Sequence, residues 1–121
     1  MRVIYDEKEY ECAFSFAISL INGKWKGIIL WYLQGGTLRY GELRRLLGNI
    51  TQKMLTQTLR ELEKDGLIER TVYPVVPPKV EYTITQNGEK LLPIFKSLQE
   101  WGEEVGSQIG EVLECKVSQK L

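Results

Sequence analysis

The 121-residue chain has no histidine, only two cysteines, two methionines and four prolines, and no net charge, its 16 Lys+Arg being matched by 16 Asp+Glu. Each shortage removes a class of function. Without histidine there is no Ser-His or Cys-His nucleophile pair and no usual zinc ligand set, so hydrolase chemistry lacks its commonest base. Cys12 and Cys115 lie near opposite ends and form no C-x-x-C spacing, which argues against a metal site closed within one chain. The longest apolar run, Ile28 to Leu33, is too short for a bilayer. The acidic start (Asp6, Glu7, Glu9, Glu11) has the wrong sign for a secretion signal, so the expectation is a cytoplasmic protein without a membrane partner. No P-loop or G-x-G-x-x-G is present, no cofactor or metal is implied, and an enzyme is the least supported reading.

What is present points to one globular domain, with 43% hydrophobic and 26% charged residues. Zero net charge conceals a segregation. Lys24, Lys26, Arg39, Arg44, Arg45, Lys53 and Arg60 face the single acid Glu42 between positions 22 and 60, while the flanks 1–21 and 61–121 are both net acidic. A local basic block suits a polyanion bound by one part of the molecule. Charge alone weighs equally for a chance cluster on solvated helix faces.

The hydrophobic pattern reads as helices interrupted by one hairpin. Residues 11–21 form a mostly apolar, largely buried first helix stopped by Asn22-Gly23, and residues 24–33 a second, ended by Gln34-Gly35-Gly36. An extended Thr37 to Tyr40 precedes a short amphipathic helix over 41–47. Thr51 is placed to cap a helix over 52–65, whose Leu55, Leu59 and Leu62 share one arc. Lys53, Gln57, Arg60 and Lys64 occupy the opposite side, with Thr56 at its margin. Residues 67–73 and 79–85 alternate as an antiparallel hairpin around the stiff Pro74-Val75-Val76-Pro77-Pro78. Thr85 then caps a last helix in which Leu91, Ile94, Leu98, Trp101, Val105, Ile109 and Val112 recur every three or four residues, with Pro93 beginning or kinking it.

Three short helices followed by a stiff-tipped hairpin make a mainly α fold with a small antiparallel hairpin: a winged helix-turn-helix with N- and C-terminal dimerisation helices. An α-helix fits the major groove of double-stranded DNA, where Gln, Lys and Arg reach base edges. The expected DNA contacts are Arg39, Thr51, Gln52, Lys53, Thr56, Gln57 and Arg60, with Lys79 and, as a further candidate, Arg70 on the wing. The DNA-binding core is expected over about 22–86 of a single domain. Segments 1–21 and 87–121 would dimerise through Phe14, Phe16, Leu98, Trp101 and Val105, because these present more apolar surface than a small core covers.

The chain also resembles the HxlR-type winged helix-turn-helix transcriptional regulators of bacteria, relatives of the MarR-type repressors. The resemblance rests on Cys12, Gly23-Lys24-Trp25-Lys26, Arg39-Tyr40-Gly41-Glu42-Leu43-Arg44-Arg45, the run Ile50 to Leu62, Asp65-Gly66-Leu67-Ile68-Glu69-Arg70, Tyr73-Pro74, Pro77-Pro78-Lys79-Val80-Glu81-Tyr82 and Trp101-Gly102. It implies a homodimer on a near-palindromic operator, with no effector specified. Some members of that family sense oxidants through the matching N-terminal cysteine. Cys12, with Cys115, is therefore a possible redox site in an alternative reading, against which stands Cys12 as a plain buried residue. A winged-helix protein-interaction module is the remaining alternative.

Overall fold

The computed structural model describes residues 1–114. Along them run β1 (Val3–Tyr5), β2 (Lys8–Tyr10), α1 (Ala13–Ile21), α2 (Lys26–Leu33), β3 (Leu38–Arg39), α3 (Tyr40–Leu47), α4 (Gln52–Lys64), β4 (Ile68–Tyr73), β5 (Lys79–Ile84), α5 (Gln86–Glu89) and α6 (Leu92–Ile109). The architecture is a winged helix-turn-helix: α2, α3 and α4 enclose the core, and β4 and β5 form the wing.

The start and stop of α4 follow from local chemistry. The Thr51 hydroxyl accepts from the Met54 amide at 3.1 Å, satisfying an otherwise free donor of the first turn. Gly66 ends the helix at φ 75°, where the Leu67 amide bonds back to the Leu62 carbonyl at 3.0 Å. Between these ends Leu55, Leu59 and Leu62 are buried, together with Ile29, Leu30 and Leu33 of α2 and Leu43 and Leu47 of α3. The wing closes the core from one side with Ile68 and Tyr82, and Phe95, the one buried residue of α6, closes it from the other.

The sheet has three strands in the order β3-β5-β4, all antiparallel. Leu38 pairs with Tyr82 and Arg39 with Glu81, so the short extended segment before α3 becomes the edge strand of the wing. In the wing itself Ile68 pairs with Ile84 and Tyr73 with Lys79.

Four expectations need correction. The first helix is not largely buried: none of its residues is buried within the single chain, because its apolar side chains exceed what the core can reach. The last helix is not continuous from Thr85. The Thr85 hydroxyl accepts from the Gly88 amide at 3.2 Å and caps only α5, while α6 starts afresh with Pro93 in its first turn, where the missing amide costs nothing. Val112 falls beyond the end of α6. An additional hairpin, β1 with β2, precedes α1, pairing Val3 with Tyr10 and Tyr5 with Lys8. Cys115 lies outside the described residues.

Gly88 sits where α5 turns against the base of the wing. A Cβ there would run into the Leu67 carbonyl oxygen and lie 2.6 Å from Ile84 Cγ1. Backbone cannot yield as a flexible side chain can. Gly88→Ala is expected to destabilise the fold by about 1–3 kcal/mol, the usual cost of overpacking, seen as a lowered urea midpoint with an unchanged slope.

Candidate nucleic-acid interface

With its leucines turned inward, α4 must direct the remaining arc to solvent. Gln52, Lys53, Gln57 and Arg60 are exposed, and with the half-buried Thr56 they line one shallow concavity. The side chains of Gln52, Lys53 and Arg60 make no hydrogen bond or ion pair among the described residues, whereas Gln57 donates weakly to Glu61 at 3.4 Å. They present donors and acceptors in the combination that reads base edges. Thr51 is different: its hydroxyl is engaged as the cap, leaving an exposed residue whose main task is to begin the helix.

A cleft of about 400 Å³ separates α4 from the wing, with Gln52, Thr56, Arg60 and Arg70 on its walls and Leu59, Val80 and Tyr82 beneath. Arg70 and Arg60 thus share one opening, which supports Arg70 as a wing cation facing the same ligand. Tyr40 holds the cleft in shape. Its hydroxyl donates to the Gln52 carbonyl at 3.2 Å and lies 3.1 Å from the Thr56 hydroxyl, pinning the first turns of α4 to the start of α3. Sequence reasoning missed this role, although an aromatic at the first position of α3, in the run Arg39-Tyr40-Gly41-Glu42, was the available signal. Arg39 is the residue before that helix. Its amide donates to Glu42 Oε1 at 2.9 Å, which leaves its side chain exposed beside the sheet edge.

Lys79, the expected wing contact, already has an anion beside it. It is half-buried, pairs with Glu81 at 3.2 Å, and lies 5.0 Å from the Tyr73 ring centroid. Partial burial pushes the Glu81 carboxyl up. Hydrogen bonds from Lys79 and Tyr73 and the charges of Lys79 and Arg39 outweigh that push and hold it below the ordinary carboxylate value. Glu81 thereby acts as an internal anion between two candidate phosphate contacts. Positions 79 and 81 share a strand face, so the pairing was readable from the alternation. Within the basic block, Lys26 is spent on Glu61 at 3.2 Å and Lys24 lies over the Trp25 ring.

Exposed apolar side chains also stand on α1, α2 and α6. Phe14 is 75% exposed, Leu98 58% and Trp101 60%, and Ile18, Ile28 and Ile94 are exposed as well. Ile28 and Leu98 border a cavity of about 350 Å³ between α2 and α6, lined further by Ile21, Trp31 and Phe95. Two expected dimerisation residues are placed differently: Val105 is half-buried, and Phe16 packs edge-on between Tyr5 and Tyr10, with centroids 5.7 and 5.4 Å away. Phe16 therefore spends its ring on the first hairpin.

Cys12 is exposed, against the reading of it as a buried structural residue. It is the residue before α1, and the Ser15 amide donates to its sulphur at 3.4 Å. That bond, with help from the Ser15 hydroxyl, lowers the thiol pKa, and the neighbouring Glu11 charge opposes it. Among the described residues no helix is long and apolar enough to cross a membrane, and no group of three or more Cys, Asp or Glu could hold a metal ion.

The family sequence model described as HxlR-like helix-turn-helix matches residues 20–109. The chain belongs to that family. It is 53% identical over 95 residues to YkvN of Bacillus subtilis, an uncharacterised HTH-type transcriptional regulator, covering 78% of this chain and 80% of the relative. The redox regulator HypR in its reduced form superposes with a TM-score of 0.76 at 46% identity, covering 81% of this chain and 96% of that one. Its oxidised form does so at 0.73 and 49%, covering 77% and 96%.

The lowered thiol pKa can be checked in a Cys115→Ser background. Alkylation of Cys12 by iodoacetamide is expected to reach half its limiting rate below the usual thiol midpoint of about 8.5, since thiolate forms at lower pH. Ser15→Pro, which removes the donating amide, should move that midpoint up.

Proposed function

We propose that this chain is a transcriptional regulator that binds a near-palindromic DNA operator as a homodimer. The observation that carries the reading is the outward face of α4, where Lys53, Thr56, Gln57 and Arg60 stand together beside a wing cleft holding Arg70. Family membership and the HTH-type regulators among its relatives support it. In this reading α4 enters the major groove with Gln57 and Lys53 at base edges, and Arg39, Arg70 and Lys79 neutralise phosphates along the wing side. Lys79 must exchange Glu81 for a phosphate, so its contribution is smaller than that of an unpaired cation.

The dimer reading draws on the exposed apolar residues of α1, α2 and α6. Phe14, Leu98 and Trp101 lie on surface that a lone small domain rarely leaves in water. In this reading the two copies joined there would present their α4 helices to successive major grooves, which lie roughly 34 Å apart. A second reading, thiol control of the same binding, rests on the exposed, acidified Cys12 and on the likeness to HypR. An ordinary alkylation midpoint would remove its main support.

Titration against DNA upstream of the protein's own and neighbouring genes, at two salt concentrations with random competitor, tests the main reading. Gln57→Ala and Lys53→Ala should keep the fold and cost about 1–3 kcal/mol of specific binding. Lys79→Ala should lower affinity for all sequences alike, and a circular dichroism melt that collapses in the α4 variants would overturn the assignment of that face.

Light scattering at low micromolar concentration is expected to return twice the chain mass. Trp101→Glu should give a monomer with intact circular dichroism and lost operator binding. A wild-type monomer that binds one half-site tightly would refute the dimer.

A further inference from the structure

The first hairpin is an unlikely object to find standing on its own strength. Its strands have three residues each, and its two turn residues, Asp6 at φ 52° and Glu7 at φ 63°, are both left-handed without being glycine. Such a turn ordinarily takes Asn-Gly, and a two-stranded ribbon this short is marginal in water. Backbone strain of this kind persists where neighbouring contacts over-determine it.

Those contacts are divided between two helices. On one side Phe16 of α1 sits edge-on between Tyr5 and Tyr10. On the other the Tyr5 hydroxyl donates to Asp65 Oδ1 at 2.8 Å, and Asp6 Oδ2 takes the Lys64 ammonium at 2.9 Å. Lys64 and Asp65 are the last residue and the cap of α4. Beneath the hairpin a cavity of about 210 Å³ separates Ser19 and Leu20 of α1 from Glu61 and Lys64 of α4. The hairpin bridges a gap that direct helix packing leaves open there. It also precedes residues 20–109, the segment that carries the family match.

We infer that the N-terminal hairpin is a brace that sets the angle of α4, the helix proposed to read DNA, against α1, one of the helices proposed to join the dimer, with Tyr5 and Asp6 as its positioning residues. The inference rests on the two-half-site reading above. Its consequence concerns geometry and not contact: a half-site needs only the exposed face of α4, whereas two half-sites at a set separation need both α4 helices held at one angle to the dyad. The brace takes one of the cations of α4 out of circulation by pairing Lys64 with Asp6. What remains for DNA on that helix is Lys53 and Arg60.

Two variants remove the Tyr5 hydrogen bond and the Asp6 charge while leaving the hairpin its shape. Tyr5→Phe keeps the ring against Phe16, and Asp6→Asn suits a left-handed turn position at least as well as aspartate does. In the Tyr5→Phe/Asp6→Asn double variant, hydrogen exchange should speed up at the amides of residues 61–66. Affinity for the two-half-site operator should fall about fivefold or more relative to wild type, with affinity for a single half-site duplex unchanged. The control Glu7→Gly relieves the turn and keeps both contacts, and should leave all three measurements as in wild type. Unchanged exchange, or equal losses on one and two half-sites, overturns the brace. If wild type itself shows no preference for two half-sites over one, the dimer reading fails; the exchange rates at 61–66 in the double variant then decide by themselves whether the hairpin restrains the helix.

Discussion

Burial of Leu55, Leu59 and Leu62 is the constraint on which the rest of the molecule depends. One arc of α4 is pressed into the α2 and α3 leucines with essentially no exposure. The rotation of that helix about its axis is then no longer free. Lys53, Gln57 and Arg60 face outward because the opposite side has somewhere better to be. A binding surface whose direction is set by a core tolerates changes in its own side chains, which is the condition for reading different DNA sequences on one scaffold. Tyr40 adds the second restraint, fixing the start of α4 through the Gln52 carbonyl and Thr56.

The winged unit was legible in the sequence because its signals agree with one another. Leucine spacing, the Thr51 cap, the Gly66 stop and the alternation of β4 and β5 each point to the same boundaries. Failures fall where a signal is local but its partner is not. The apolar run of α1 says that these residues avoid water, and it does not say which surface covers them. The break at Lys90 and Leu91 escaped notice because Leu91, Ile94 and Leu98 keep a helical interval across it. The first hairpin carries Asp6-Glu7 where a turn would normally announce itself with glycine, so nothing in composition marks it. The Lys79–Glu81 pair was present in the strand alternation, but a count of cations weighs Lys79 apart from the acid two positions on.

Charge is distributed in the fold more sparingly than in the sequence. The excess of the basic block is reduced by Glu61, which takes Lys26, and by Glu81, which lies across the sheet from Arg39; Glu81 also takes Lys79 on the wing. Such pairs at the surface add little to stability. Their effect is on selectivity: they trim a general attraction for polyanions, so that a larger share of affinity would have to come from the side chains of α4 proposed to meet base edges.

The junction at Gly66 and Thr85 has a mechanical meaning. The Thr85 hydroxyl donates to the Gly66 carbonyl at 2.6 Å and its amide to the Leu67 carbonyl at 3.1 Å, so the end of α4 and both feet of the wing are tied in one knot. Helix and wing consequently travel together as a single jaw. If two copies read two half-sites as proposed, a duplex with one base pair too many between them displaces the second target by about 3.4 Å along the axis and rotates it as well. A jaw tied in this way has no internal joint to absorb either movement. In the proposed dimer the compliance would have to come from the DNA or from the helices that join the two jaws, and the knot would turn the spacing between half-sites into a quantity the protein measures.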